Sequence, residues 1–223
     1  MFQNQSAIGR TKVSALETNK VLRNTYALLS MTMIFSAITA GISMSMRMGP
    51  STPLFTMIAA IALLWFVLPR TANSSAGVAV VFAFTGLMGF GLGPLLNQYL
   101  MMTNGSHIVM TALGGTGVIF LGLSGYALTT RKDFSFMGGL LFVGMIVVLI
   151  AAIANIFLHV PALSLAISSI VILLMSGFIL FDTSRIIHGG ETNYIRATVN
   201  LYLNIHNLFV HLLHILGAFS GDD

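Results

Sequence analysis

Apolar residues in this chain gather into long runs at about 25–46, 52–69, 76–101, 107–130, 136–159 and 161–183, separated by short connectors of Pro, Gly, Asn, Ser or charged residues. Each run approaches or exceeds the roughly 20 residues an α-helix needs to cross a hydrocarbon core about 30 Å thick. None has the apolar–polar alternation over about ten residues that marks a membrane β-barrel strand. Backbone polar groups in hydrocarbon must be paired within their own segment, so the runs are predicted to be helices. A seventh run, 197–219, is apolar on one side but carries three Asn and three His. Hydropathy secures six spans and leaves this one ambiguous.

Composition points the same way. Hydrophobic residues make up 56% of the 223 and charged residues 7%, with a mean hydropathy of +0.92, against about a quarter charged in soluble domains. Such a chain cannot cover a water-facing surface. The expectation is an all-α integral membrane protein: a polar tail at 1–24, one helical membrane domain at 25–219 and a short acidic end at 220–223. There is no cysteine, which excludes disulfides, thiolate metal sites and cysteine nucleophiles. The fourteen methionines read as soft filler in packing or lipid-facing positions. A net charge of +4, spread over the chain, makes no patch for nucleic acid, so the bilayer is the expected partner.

The basic residues matter for topology instead. With the first 24 residues inside, Arg10, Lys12, Lys20, Arg23, Arg70, Arg131, Lys132, Arg185 and Arg196 fall on one side and Arg47 alone on the other, nine of the ten. Lys and Arg near span ends are retained in the cytoplasm, so the amino terminus is expected there. The first run is too long for the core of a cleaved signal peptide, about 7–15 residues, and reads as a signal anchor. Asp222 and Asp223 favour a carboxyl terminus outside.

Within the spans, Gly89 with Gly93, and Gly114 with Gly117 and Ser124, offer small-residue faces for close helix packing. Pro94 lacks an amide hydrogen and is expected to kink the third run near Asn97, either as a packing kink or to line a cavity. Asp182 is the most informative side chain, because an acid inside a span costs about 2.5–3.5 kcal/mol at its centre and less near an end. Its candidate partner on the same helix is Arg185. In the seventh run Asn200, Asn204, Asn207, His211 and His214 are spaced 4, 3, 4 and 3 and share one helical face. That stripe either hydrogen-bonds across helices or lines a hydrated path. His211 and His214 lack a nearby cysteine or second acid, so no metal or other cofactor is expected. Gly122-Leu123-Ser124-Gly125 matches the G-x-S-G of rhomboid proteases, but the second span has neither His nor Asn for an oxyanion site, and no enzyme is expected.

The last third, from Ile179-Leu180-Phe181-Asp182-Thr183 through His188-Gly189-Gly190-Glu191-Thr192-Asn193-Tyr194-Ile195 to Leu201-Tyr202-Leu203-Asn204 and Asn207-Leu208-Phe209, resembles the Bax-inhibitor family of transmembrane proteins. The likeness to one bacterial branch extends through Lys20-Val21-Leu22-Arg23-Asn24-Thr25-Tyr26, Phe82-Ala83-Phe84-Thr85-Gly86, Leu128-Thr129-Thr130-Arg131-Lys132-Asp133 and Val148-Leu149-Ile150. That branch is known as inner-membrane modulators of the ATP-dependent membrane protease FtsH. The resemblance implies seven helices with a central last one, a place in the bacterial inner membrane, and FtsH as partner. It also implies a candidate ion path, since family members that leak calcium use a pair of aspartates as a pH-sensitive latch. The first aspartate corresponds to Asp182. The second position holds Asn204, so a two-carboxylate latch cannot operate here in its usual form. The expectations are therefore a protease modulator or, as the alternative, a calcium or proton leak in which Asp182, Asn204, Asn207 and His211 form the path or sense pH, with Gly89, Gly93 and Pro94 shaping the helices.

Overall fold

The computed structural model describes residues 2–220, with side chains described from Leu16 onward; the Arg10 and Lys12 side chains, Asp222 and Asp223 lie outside the described residues. Seven helices are long and apolar enough to span a membrane. They are α1 (Phe2–Ser45), α2 (Thr52–Thr71), α3 (Ala76–Leu100), α4 (Gly105–Thr130), α5 (Met137–Leu158), α6 (Pro161–Ile187) and α7 (Tyr194–Ser220). No strand occurs among the described residues. The polar segment before Leu16 continues the helix of the first span rather than forming a separate element. Arg23, Arg70, Arg131, Lys132, Arg185 and Arg196 sit where α1 and α7 enter the bundle and where α2, α4 and α6 leave it. They define a basic end.

Two prolines are absorbed differently. Pro69 has no N–H and crowds the Trp65 carbonyl four residues back, and α2 responds by widening to a π-turn over Leu63–Val67, where the Leu68 N–H reaches the Leu63 oxygen. At Pro94 the helix does not break: α3 stays helical from Ala76 to Leu100, although Pro94 has no N–H to give the Phe90 carbonyl. Asn97, one turn on, donates from Nδ2 to the Met44 oxygen at 3.1 Å. The same oxygen accepts the Arg47 N–H at 3.1 Å, so both bonds close the end of α1.

The last helix is central. α7 packs against α1, α3, α4 and α6, while α2 touches only α3 and α5 touches only α6. The burial pattern follows: Tyr202, Leu201, Leu208 and Leu213 of α7 are almost fully buried, whereas Leu140, Phe142, Ile150 and Phe157 of α5 stand exposed, as lipid-facing residues do. Lipid removes the hydrophobic drive for helices to associate, so close packing and hydrogen bonds must hold the bundle. Both are present. Gly89 and Gly93 lie against α1, and a Cβ at Gly89 would overlap the Ser36 carbonyl, one at Gly93 the Ser43 side chain. Tyr202 Oη meets Ser36 Oγ at 2.7 Å and donates to the Thr85 oxygen at 3.3 Å, joining α7 to α1 and α3. Gly114 and Gly117 behave otherwise than expected, for a Cβ at either meets nothing within 4 Å. Their face looks onto lipid or open space, and the close contacts of α4 run through Ala112 and Thr116 instead.

Asn193 fixes the entry to α7. Its Oδ1 accepts from the Ile195 and Arg196 N–H groups at 2.9 and 3.1 Å, the geometry of a helix N-cap. Its Nδ2 donates to the Ala72 oxygen and to Asn73 Oδ1, both at 2.8 Å, tying the cap to the α2–α3 loop. Asn193→Ala removes the cap and both ties. It is expected to destabilise the protein by about 1–2 kcal/mol, read as a lower melting temperature in detergent, with Asn193→Asp recovering only the share of the cap, because its second oxygen faces the Ala72 and Asn73 oxygens and cannot donate to them.

Candidate functional site

Successive residues of an α-helix point about 100° apart, and near the basic end of α6 three in a row use this to reach three different elements. Asp182, only 8% exposed, accepts at Oδ2 from Asn204 Nδ2 of α7 at 2.7 Å. Thr183 Oγ1 faces Tyr26 Oη of α1 at 3.4 Å. Ser184 Oγ accepts from the Phe134 N–H at 2.9 Å and donates to the Lys132 oxygen at 3.2 Å, which docks the α4–α5 loop on α6. Asp182, Thr183 and Ser184 thus join α1, α6, α7 and the α4–α5 loop at one point.

Arg185 does not pair with Asp182. Its guanidinium carbon lies 5.5 Å from the Phe181 ring centre, and Nη2 donates to the Gly190 oxygen at 3.1 Å, so the charge is held at the exposed helix end. In the loop below, the Ser135 N–H donates to Asp133 Oδ1 at 2.9 Å, and bonding to Ser135 holds this exposed carboxyl below its usual range.

Beside Asp182 lies a pocket of about 370 Å³ whose polar wall is Asp182, Arg185, Asn200, Asn204 and Asn207. A second pocket of about 350 Å³, reaching Glu191, Arg196 and Trp65, shares Asn200 and Leu203 with it. The two flank the first turns of α7. One carboxylate among amide oxygens offers a cation little beyond what water supplies, and among the described residues no three His, Cys, Asp or Glu come together.

The polar stripe of α7 is half-buried except at Asn204, which is buried. Asn207 turns back, donating to the Leu203 oxygen at 2.8 Å. His211 and His214 both direct Nδ1 at Ser168 Oγ of α6, at 3.0 and 2.8 Å. A hydroxyl has one proton, so Ser168 donates to one ring and accepts Nδ1–H from the other. The structure therefore brings Asp182 and Asn204 into contact and lines one pocket with both and Asn207, but places His211 in a separate cluster nearer the far end. Gly89, Gly93 and Pro94 lie on α3, away from both.

Sequence reasoning missed Ser168, Thr183, Ser184 and His206. A usable signal existed for two of them, since Thr183 and Ser184 follow the intramembrane acid directly and are polar in a buried turn. Ser168 and His206 carry no local pattern that separates them from other polar residues in spans. Ser124, at the centre of the G-x-S-G match, is buried with Oγ unpartnered among the described residues. His211 and His214, the imidazoles that the last helix could offer such a serine, both bond to Ser168 instead.

Comparison with known proteins places this geometry in a family. Residues 18–221 match the family model described as inhibitor of apoptosis-promoting Bax1. A protein of Escherichia coli K12 named modulator of FtsH protease YccA is 56% identical over 211 residues, covering 95% of each chain. Its counterpart in Escherichia coli O6:H1, named inner membrane protein YccA, matches equally. An uncharacterized membrane protein of Vibrio cholerae is 54% identical over 223 residues, covering 100% of this chain and 98% of that one. With seven membrane-length helices around a central last helix, and a family match over nearly its whole length, the chain belongs to the Bax-inhibitor family of membrane proteins.

Proposed function

We propose that this protein is a non-enzymatic modulator of an FtsH-type membrane protease, held in the bacterial inner membrane with its basic end in the cytoplasm. The observation that carries the reading is the 56% identity over 95% of both chains to a protein named for that role. The orientation is supported by the basic residues gathered at one end, because Lys and Arg beside spans are retained inside. The helical extension of α1 before Leu16 then stands on the cytoplasmic side, where the ATP-dependent part of such a protease works. The part played by Asp182, Thr183 and Ser184 is to hold α1 in place: α1 meets α6 through Tyr26, and α6 meets α7 through Asn204. The helix that carries the extension is thereby fixed against the bundle.

A calcium or proton leak has less support, since the Asp182 partner is an amide and a second carboxylate is missing from the contact. The reading as a modulator is tested by affinity purification from native membranes after mild cross-linking. Recovery of the protease with the wild-type protein, and its loss when residues before Leu16 are removed from a stably folded variant, is the expected result. If the protease is never recovered while other inner-membrane proteins are, the reading fails.

A further inference from the structure

Both α1 and α4 pack on α7, but their backbones stay apart, and at one end the Tyr26 and Phe120 rings bridge them with centres 6.1 Å apart. The space between them is a cleft of about 510 Å³, within the range of about 300–1,000 Å³ typical of small-molecule sites. One wall is α1 from Tyr26 to Met44, the other α4 from Val109 to Leu121, and the floor is Tyr202, Ile205, His206 and Phe209 of α7. Tyr26 to Met44 is 18 residues, or about 27 Å at 1.5 Å each, so the cleft runs along nearly the full hydrocarbon thickness.

The volume is spread over about 27 Å, a long and narrow course. One extended chain fits. The walls are mostly apolar, as a hydrocarbon tail requires, but the floor holds one polar group without a partner. The His206 ring stacks on Tyr202 with centres 5.8 Å apart. The Tyr202 hydroxyl is already taken by Ser36 and Thr85, and no hydrogen bond from His206 to a described residue exists. A neutral imidazole carries one donor and one acceptor, and leaving both unmet in hydrocarbon is costly.

His206 also fixes the depth at which a ligand must present its polar atom. It lies 12 residues into α7, about 18 Å from the basic end, close to the middle of the bilayer. The oxygens of a phospholipid sit outside the hydrocarbon core and do not reach it. From these observations we propose that the cleft binds an uncharged lipid with one long chain and a single carbonyl or hydroxyl oxygen, which hydrogen-bonds to His206. A long-chain alcohol has this chemistry. This inference stands independently of the protease reading.

The cleft supplies its own test variants. Gly41 and Gly117 line it from opposite walls, and a Cβ at either meets nothing within 4 Å. Gly41→Leu and Gly117→Leu therefore fill the cleft without disturbing helix packing, and His206→Phe keeps the stacked ring while removing both nitrogens. The full-length protein in liposomes is irradiated with a diazirine-bearing long-chain alcohol, or with phosphatidylcholine carrying the same diazirine chain, and the labelled peptides are mapped. Unlabelled alcohol serves as the competitor for the first probe, and the phospholipid probe tests the alternative source. The expected result is alcohol labelling on α1, α4 and α7 of the wild type that falls several-fold in all three variants at unchanged melting temperature. Phospholipid labelling of the cleft is expected to be weak and indifferent to His206→Phe. Equal alcohol labelling of the wild type and both glycine variants would overturn the site. Equal labelling by both probes, insensitive to His206→Phe, would overturn the ligand class and leave a cleft filled by bulk lipid.

Discussion

Gly89→Val is expected to abolish the folded bundle, with a loss of about 3 kcal/mol or more. A Cβ there would overlap the Ser36 carbonyl, and a backbone oxygen cannot swing aside as a flexible side chain would. Moving α1 to make room also breaks the Ser36–Tyr202 contact at 2.7 Å, so the clash spreads from the α1–α3 seam to the central helix. Gly114→Val provides the control. The added side chain meets nothing within 4 Å of its Cβ and replaces a residue poorly suited to helices, so stability should hold or rise slightly. Thermal unfolding of both variants in detergent checks the pair; similar melting temperatures would mean that the seam does not hold the fold.

The second large effect is expected from Asn204→Asp. It places a second carboxyl in contact with Asp182, where the wild type has an amide donating at 2.7 Å. When one proton is shared, the two groups still hydrogen-bond and the α6–α7 contact survives. When both ionise they repel, by about 4 kcal/mol at 4 Å with an effective dielectric constant near 20. The variant should therefore lose stability as the pH rises, more steeply than the wild type. Asp182→Asn, which keeps an amide–amide bond at the same place, should stay within about 1 kcal/mol of the wild type. Asp182→Ala leaves the Asn204 amide buried and unmet and should cost about 1–3 kcal/mol. Melting temperatures across a pH series separate these outcomes, and parallel pH profiles for Asn204→Asp and the wild type would show that the two groups do not meet in the membrane.

Much of this fold was legible because hydrocarbon leaves the chain few options: runs as long as a bilayer is thick must be helices. The seventh run shows where hydropathy stops. Its Asn and His residues lower the score, yet they sit on the most buried of the seven spans, where polar groups find partners that lipid cannot offer. The periodicity of that stripe was readable, but its bonds were not. Nothing in the local sequence pairs His211 and His214 with Ser168, forty-three and forty-six residues earlier, because that contact depends on how α6 and α7 are rotated against each other. Small-residue faces were equally ambiguous. Gly89 and Gly93 meet another helix while Gly114 and Gly117 do not, and the choice is made by which neighbour each face happens to meet. The acid stands out through its cost in a span; the resemblance pointed to Asn204 as its partner and the local sequence to Arg185, and the crossing of two helices decides for Asn204.

The most direct test of the central claim is reconstitution of the purified FtsH protease with a membrane-protein substrate in liposomes, with and without this protein at matched orientation. The account predicts that adding the protein changes the rate of substrate degradation in a saturable way while leaving ATP-dependent protease assembly intact. An unchanged degradation rate at saturating protein, with the protease and the bundle both folded and co-inserted, would contradict it.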